Sequence, residues 1–342
     1  MIKFRSLTRS VINLIRLPYA VLRYRIYGQT DPWAYQALVQ LFCGTGGRFN
    51  DWVSSLISVS SNPLTFPSQV GVLGNLNNNL LTQHTETLRN RGYIVFPGAL
   101  SAEDCEKLMD FALKTPAKLR RMDHEPEDTP TRLALFDAAN PQAVRYDYPT
   151  DTLLLHPSVQ ALLADHSLLA LAQSYLGSRP RADVLSMWWH TNHQTNPDSE
   201  AAQFYHFDMD RIKWFKVFIY LTDVGPNDGP HKFIEGSHRT GNIPQSMLSQ
   251  GYARLTDEEV LAHYGDAREI EFVAPRGTVI IEDTRGLHKG KAVDGNSRLI
   301  LQLQFSNSLF GANYDKSKIT SLNNRYLKEI MEKAPDVYSN FT

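Results

Sequence analysis

The chain has 342 residues, 42% of them apolar and 21% charged, with a formal net charge of -1. That balance suits one large or two modest globular domains and excludes overall electrostatic steering toward nucleic acid. Two cysteines, Cys43 and Cys105, are too few for a disulfide framework or a thiolate metal site, and they fit a reducing, cytoplasmic setting.

Residues 1–30 depart from neutrality. They carry Lys3, Arg5, Arg9, Arg16, Arg23 and Arg25, and the first acidic residue is Asp31. Phe4, Leu7, Val11, Leu14, Ile15 and Leu22 are interleaved with them. No apolar run approaches the roughly 20 residues of a transmembrane helix. Arg16 and Pro18 interrupt the best stretch for a signal sequence. Three readings stay open: an extension packed on the main domain, peripheral contact of residues 1–27 with an anionic membrane, and a cleaved presequence.

Residues 31–42 read as a helix carrying Trp33, Leu38, Leu41 and Phe42, and the glycines of 43–51 end it. Residues 61–80, rich in Pro, Gly and Asn, read as a linker. The expected division is therefore a basic, partly helical extension over 1–80 and a main domain over 81–342. Gly92–Pro97 contains a short strand. Ser101 with Glu103 and Asp104 reads as the start of a helix running to about Leu113. Residues 115–150 read as loops and 157–176 as helical. From Asp183 the period changes to two. Strands are expected over 183–191, 213–223, 232–234, 270–273, 278–282 and 297–306. In the last, Leu299, Leu301, Leu303 and Phe305 share one face, and Arg298, Ile300, Gln302 and Gln304 the other. Polar residues on an inward face line a cavity rather than a dry core. The expected fold is mainly β with flanking helices (α+β), a jelly-roll or cupin-like double-stranded β-helix with its core over about 183–310.

Inside that core His206 and Asp208 lie two residues apart and can ligate one ion together. The third ligand must come from His231, His238, His263 or His288. His288 follows an apolar strand, where a barrel mouth would be. Two imidazoles and one carboxylate on one face of iron leave three positions open. Arg298 adds a cation on a cavity-facing strand. A guanidinium fork matches a carboxylate bidentately, and inside a barrel it needs an anion. A structural salt bridge is the bland account of Arg298, and Arg285 is its competitor for a co-substrate role.

These residues resemble the phytanoyl-CoA dioxygenase-like family of Fe(II)/2-oxoglutarate oxygenases over about residues 85–310. The likeness includes Arg91–Leu100 with the Ser-capped helix, then Tyr220–Val224, Asp228-Gly229-Pro230 and Glu235-Gly236-Ser237-His238-Arg239, where Glu235 replaces the usual Pro. The resemblance implies metal ligands at His206, Asp208 and His288, and an arginine for 2-oxoglutarate at Arg298. It implies Fe(II), 2-oxoglutarate and O2 as reagents, with ascorbate as a reductant, and usually hydroxylation with release of succinate and CO2. Relatives often carry a hydroxyl two places after the distal His. This chain has Gly290 there, so another group must assist Arg298. Arg211, Arg285 and Lys289 lie within three residues of expected ligands and suggest a cationic rim and an anionic small-molecule substrate, with Arg211 and Arg285 as substrate residues. Of Trp188 and Trp189, parity sends one into the pocket and the other to the core. The alternatives are a non-hydroxylating oxidation on the same iron, a non-catalytic metabolite-binding barrel, and a zinc hydrolase.

Overall fold

The computed structural model describes residues 2–122, 124–251 and 254–342, with side chains from residue 12 onward. The side chains of Lys3, Arg5 and Arg9 lie outside that description. Helices α1 (Ile2–Tyr27), α2 (Pro32–Thr45) and α3 (Arg48–Val59) open the chain. Pro32 starts α2, where its missing N–H costs nothing. Gly46 ends it in left-handed conformation at φ 60°. The glycines of 43–51 are a corner, and α3 begins straight after it. Leu17 and Ala20 of α1 join Ala34, Leu38 and Leu41 of α2 in one core with Ile212 and Phe310.

Helix α4 (Asn78–Arg91) begins inside the expected linker. Its signal is a single cap: the Asn77 side chain accepts from the Leu80 N–H. Helix α5 (Ala102–Lys114) has the expected cap, with Ser101 accepting from the Asp104 N–H at 3.1 Å. The helical stretch over 157–176 is two helices, α6 (Pro157–Leu163) and α7 (His166–Leu176), because Asp165 caps the second. Helices α8 (Asp257–Tyr264) and α9 (Arg325–Lys333) complete the longer set.

The strands are β1 (Tyr93–Phe96), β2 (Ala117–Leu119), β3 (Arg132–Ala134), β4 (Arg145–Asp147), β5 (Arg181–His190) and β6 (Trp214–Tyr220). Then come β7 (His231–Ile234), β8 (Glu269–Glu271), β9 (Val279–Glu282), β10 (His288–Gly290) and β11 (Arg298–Ser306). They form an eight-stranded sheet, β1-β9-β6-β11-β5-β4-β2-β3, and a three-stranded sheet, β8-β7-β10. All pairings are antiparallel. This is the expected double-stranded β-helix with flanking helices. Strands β2, β3 and β4 replace part of the expected 115–150 loop. At three residues each they are too short to show a period.

The alternation in β11 sorts as its sequence predicts. Leu299, Leu301, Leu303 and Phe305 join the main core with Leu185, Met187 and Trp189 of β5. Each such side chain contributes about 1.5–3 kcal/mol by leaving water. Arg298, Ile300 and Gln302 face a cavity between the sheets.

Candidate metal and co-substrate site

His206 and His288 face each other in a single antiparallel bridge. The N–H of each donates to the carbonyl of the other, at 3.0 and 2.9 Å. That pairing sets the rings 4.3 Å apart between centroids. Each Nδ1 lies 2.9 Å from a carbonyl oxygen, of Phe204 for His206 and of Gly286 for His288. A carbonyl can only accept, so each Nδ1 carries the proton and each Nε2 keeps its lone pair. This is the ligating tautomer, fixed by the ring's outer hydrogen bond. The Asp208 N–H donates to Thr284 O at 2.8 Å and turns its carboxylate toward the two rings. One donor atom from each of the three residues falls within 4.8 Å of the others.

The electrostatics keep the three donors deprotonated. Burial pushes His206 well below its ordinary value and His288 down to about 4. Burial alone would raise Asp208, but the Lys216 ammonium and the two imidazoles hold it far below the carboxylate range. Lys216 Nζ donates to Asp208 Oδ2 at 2.6 Å and also meets Asp210 Oδ2 at 3.2 Å. Lys216 was missed in the sequence. Its signal is a lone lysine in the apolar run Trp214–Tyr220.

Arg298 shares the cavity with these residues. It is 1% exposed, yet among the described residues no carboxylate pairs with it. Its guanidinium donates to Gly229 O and, at 2.7 Å, to His190 Nδ1. Burial, then the Arg298 charge, holds His190 neutral, as an acceptor must be. Strand register lines up Arg298, His190 and Arg145 across β11, β5 and β4. A Cβ on Gly290 would lie 3.4 Å from Arg298 Nη2 and 3.5 Å from His190 Cε1. A side chain at Gly290 would therefore lie against the His190–Arg298 pair.

The cavity holds about 260 Å³, small beside typical ligand pockets. Trp188, Phe218 and Ile300 give it apolar wall, and Gln302, Tyr314 and Arg145 give it polar wall. Trp188 is the aromatic that faces in. Trp189 stacks on Phe136 in the core with centroids 3.9 Å apart. Arg145 lies over the Trp188 ring and pairs with Asp147 at 2.7 Å, a carboxylate that Arg120 also holds at 2.9 Å. Tyr314 comes from the tail beyond β11 and bonds Asp210.

Two expected substrate residues are not in this cavity. Arg211 donates to the fully buried Asp183 at 2.5 Å and to Ala312 O. Arg285 is held by Asp283 at 2.7 Å and Asp51 at 3.0 Å, and it lines a different cavity near Lys213 and His238. Lys289 pairs with Asp257 at 2.5 Å. Proximity in sequence placed their backbones near the ligands, but internal carboxylates captured all three side chains. Of the competing histidines, His231 bonds Glu282 at 3.1 Å and borders the cavity, while His238 bonds Arg89 O. His263 stays on helix α8.

Two imidazoles with free Nε2 atoms and one ionised carboxylate fit a divalent metal of intermediate softness, and the acid-free Arg298 fits an anionic co-ligand. The phytanoyl-CoA dioxygenase (PhyH) profile matches residues 88–298. The chain belongs to that family of Fe(II)/2-oxoglutarate-dependent oxygenases. Ectoine dioxygenase of Sphingopyxis alaskensis is 29% identical over 217 residues, which is 58% of this chain and 66% of that protein. Among solved structures, iron-bound EctD from S. alaskensis is 20% identical with a TM-score of 0.47, covering 72% of this chain and 83% of that one. HygX from Streptomyces hygroscopicus, with nickel and 2-oxoglutarate bound, is 17% identical with a TM-score of 0.46, covering 74% and 94%. Among the described residues no helix is long and apolar enough to cross a membrane.

Proposed function

We propose that the chain hydroxylates a small organic substrate, with His206, Asp208 and His288 holding Fe(II) and Arg298 holding the far carboxylate of 2-oxoglutarate. The observation that carries this reading is one cavity containing both a deprotonated His, Asp, His cluster and a buried arginine without an acid. Fe(II) with 2-oxoglutarate and O2 supplies oxidative decarboxylation of the keto acid to succinate and CO2, coupled to insertion of one oxygen into a substrate C–H bond. The chain's own residues prepare that chemistry. Phe204 O and Gly286 O orient the imidazoles. Lys216 occupies one Asp208 oxygen and leaves the other for the metal. His190 and Gly229 O fix the Arg298 fork, so less side-chain entropy is lost when a carboxylate arrives. Trp188, Phe218 and Ile300 keep water from the reacting end.

An anionic substrate remains supported, but by Arg145 rather than Arg211 and Arg285. Asp147 is shared by Arg145, which lines the cavity, and Arg120, which is partly exposed, so that group carries one net positive charge. The experiment is anaerobic Fe(II) titration of the parent and His288→Ala proteins, followed by mass spectrometry of candidate metabolites with labelled O2. The parent should bind one Fe(II), form succinate and label the product. Equal iron binding by His288→Ala would assign the third ligand elsewhere, and a product without added oxygen would replace hydroxylation by another oxidation.

A further inference from the structure

Helix α1 packs on the body through Leu17 and Ala20, with Val21 and Tyr24 partly buried beside them. A surface helix with one face so committed ordinarily turns a polar face outward. Here the outward face carries Ile12, Ile15, Tyr19, Leu22 and Ile26, all exposed, with Ile15 at 73% and Ile26 at 66%. Their spacing of three and four residues makes one continuous stripe over four turns. Contiguous exposed apolar surface of this kind marks an interaction site.

The charges choose the partner. Arg16 and Arg23, seven apart, border the stripe along one edge, Arg23 being paired with Asp31 at 2.9 Å, and Arg25 stands beyond the other edge. No acidic residue occurs before Asp31. Two copies of this helix would set Arg16 and Arg25 of one against those of the other, and Asp31, the first acid of the sequence, is already paired with Arg23, which disfavours self-association. Tyr19 and Tyr27, both exposed, have the apolar body and polar tip suited to a lipid headgroup layer. Helix α3 of the same N-terminal bundle exposes a second stripe, Trp52, Leu56 and Val59.

We infer that the outer face of α1 lies in the headgroup layer of an anionic membrane, seating the oxygenase on a lipid surface without spanning it. The apolar stripe enters the acyl boundary, and Arg16 and Arg25 meet acidic headgroups. The inference does not depend on the chemistry of the barrel.

The test is co-sedimentation of the full chain with phosphatidylcholine vesicles containing 30% phosphatidylserine, and with pure phosphatidylcholine vesicles. Binding to the anionic vesicles should be at least tenfold tighter, and should weaken on going from low to high salt. Ile15→Ser/Leu22→Ser/Ile26→Ser changes only exposed positions. It should keep the parent's circular dichroism and melting temperature and lose at least tenfold in vesicle affinity. Arg16→Gln/Arg25→Gln should weaken binding and flatten its salt dependence. Absence of parent binding, or equal binding by the serine variant, overturns the inference. So does a dimer in sedimentation equilibrium that the serine variant dissolves, which would assign the face to a second copy.

Discussion

Arg298→Lys keeps the charge and removes the fork, so it isolates what geometry contributes. The guanidinium donates to Gly229 O and His190 Nδ1 and still has N–H groups for a carboxylate. A single ammonium cannot satisfy both protein acceptors and a bidentate anion. Losing one charge-assisted hydrogen bond to 2-oxoglutarate costs about 1.5–3 kcal/mol, or roughly 10- to 150-fold in affinity. Fe(II) affinity should change little, because no hydrogen bond links Arg298 to His206, Asp208 or His288 among the described residues. The assay is anaerobic calorimetric titration of 2-oxoglutarate into Fe(II)-loaded protein, paired with the KM for 2-oxoglutarate from succinate formation. An unchanged Kd with the iron site intact would refute the assignment. Loss of iron and co-substrate together would show that Arg298 mainly supports the barrel. His190→Leu provides the control: it removes the acceptor that fixes the fork, and should weaken 2-oxoglutarate several-fold while leaving iron binding alone.

Arg211→Gln and Arg285→Gln should each destabilise the protein by about 3–5 kcal/mol, because each leaves a buried carboxylate unpaired. The melting temperature should fall while the KM for substrate holds; a KM effect without a stability effect would return these residues to the rim. Trp189→Ala should cost about 3–5 kcal/mol of core packing, whereas Trp188→Phe should act on substrate KM. Metal-free protein should lose stability as pH falls below about 6.5, the unfolded histidine value. Burial holds His231 down at about 3 and His288 at about 4, so the unfolded chain binds more protons throughout that window. At pH 5 each contributes a loss on the order of 2 kcal/mol, and a melting temperature unchanged between pH 7.5 and 5 would show that these rings are not buried neutral.

The legible parts of this chain are those where chemistry and period coincide. Strand β11 announced its two faces because Leu and polar residues alternate over nine positions. His206, Asp208 and His288 were visible as residue types in a spacing, and the structure brings their donors together. The short strands β2 to β4 were not visible, and with them went Arg145, which joins the cavity only through register with His190. His190 could be assigned to the inward face by parity with Trp188, but nothing local states that its Nδ1 meets Arg298. Arg211 and Arg285 show the opposite failure. Their backbones do lie beside the ligands, but the carboxylates that claim the side chains are Asp183, 28 residues away, and Asp51, 234 residues away, with Asp283 two residues away. Asp183 and Asp51 are long-range partners that a local pattern does not carry, whereas Asp283 lies just before Arg285 in the chain.

Charge balance inside the barrel explains why one arginine and one lysine have different tasks. Burial pushes Asp210 and Glu282 above their ordinary values. Asp208 stays ionised, and Lys216 offsets it at 2.6 Å. The Lys216 ammonium therefore holds the Asp208 carboxylate in place. Arg298 has no carboxylate partner among the described residues, and burial lowers its pKa. Isolated burial of such a charge costs several kcal/mol. A dianionic keto acid arriving with a divalent cation adds no net charge to the cavity, yet it places a carboxylate where Arg298 has none. A lysine at the Arg298 position would meet the same charge requirement, so only the fork geometry tested by Arg298→Lys separates recognition of 2-oxoglutarate from simple neutralisation.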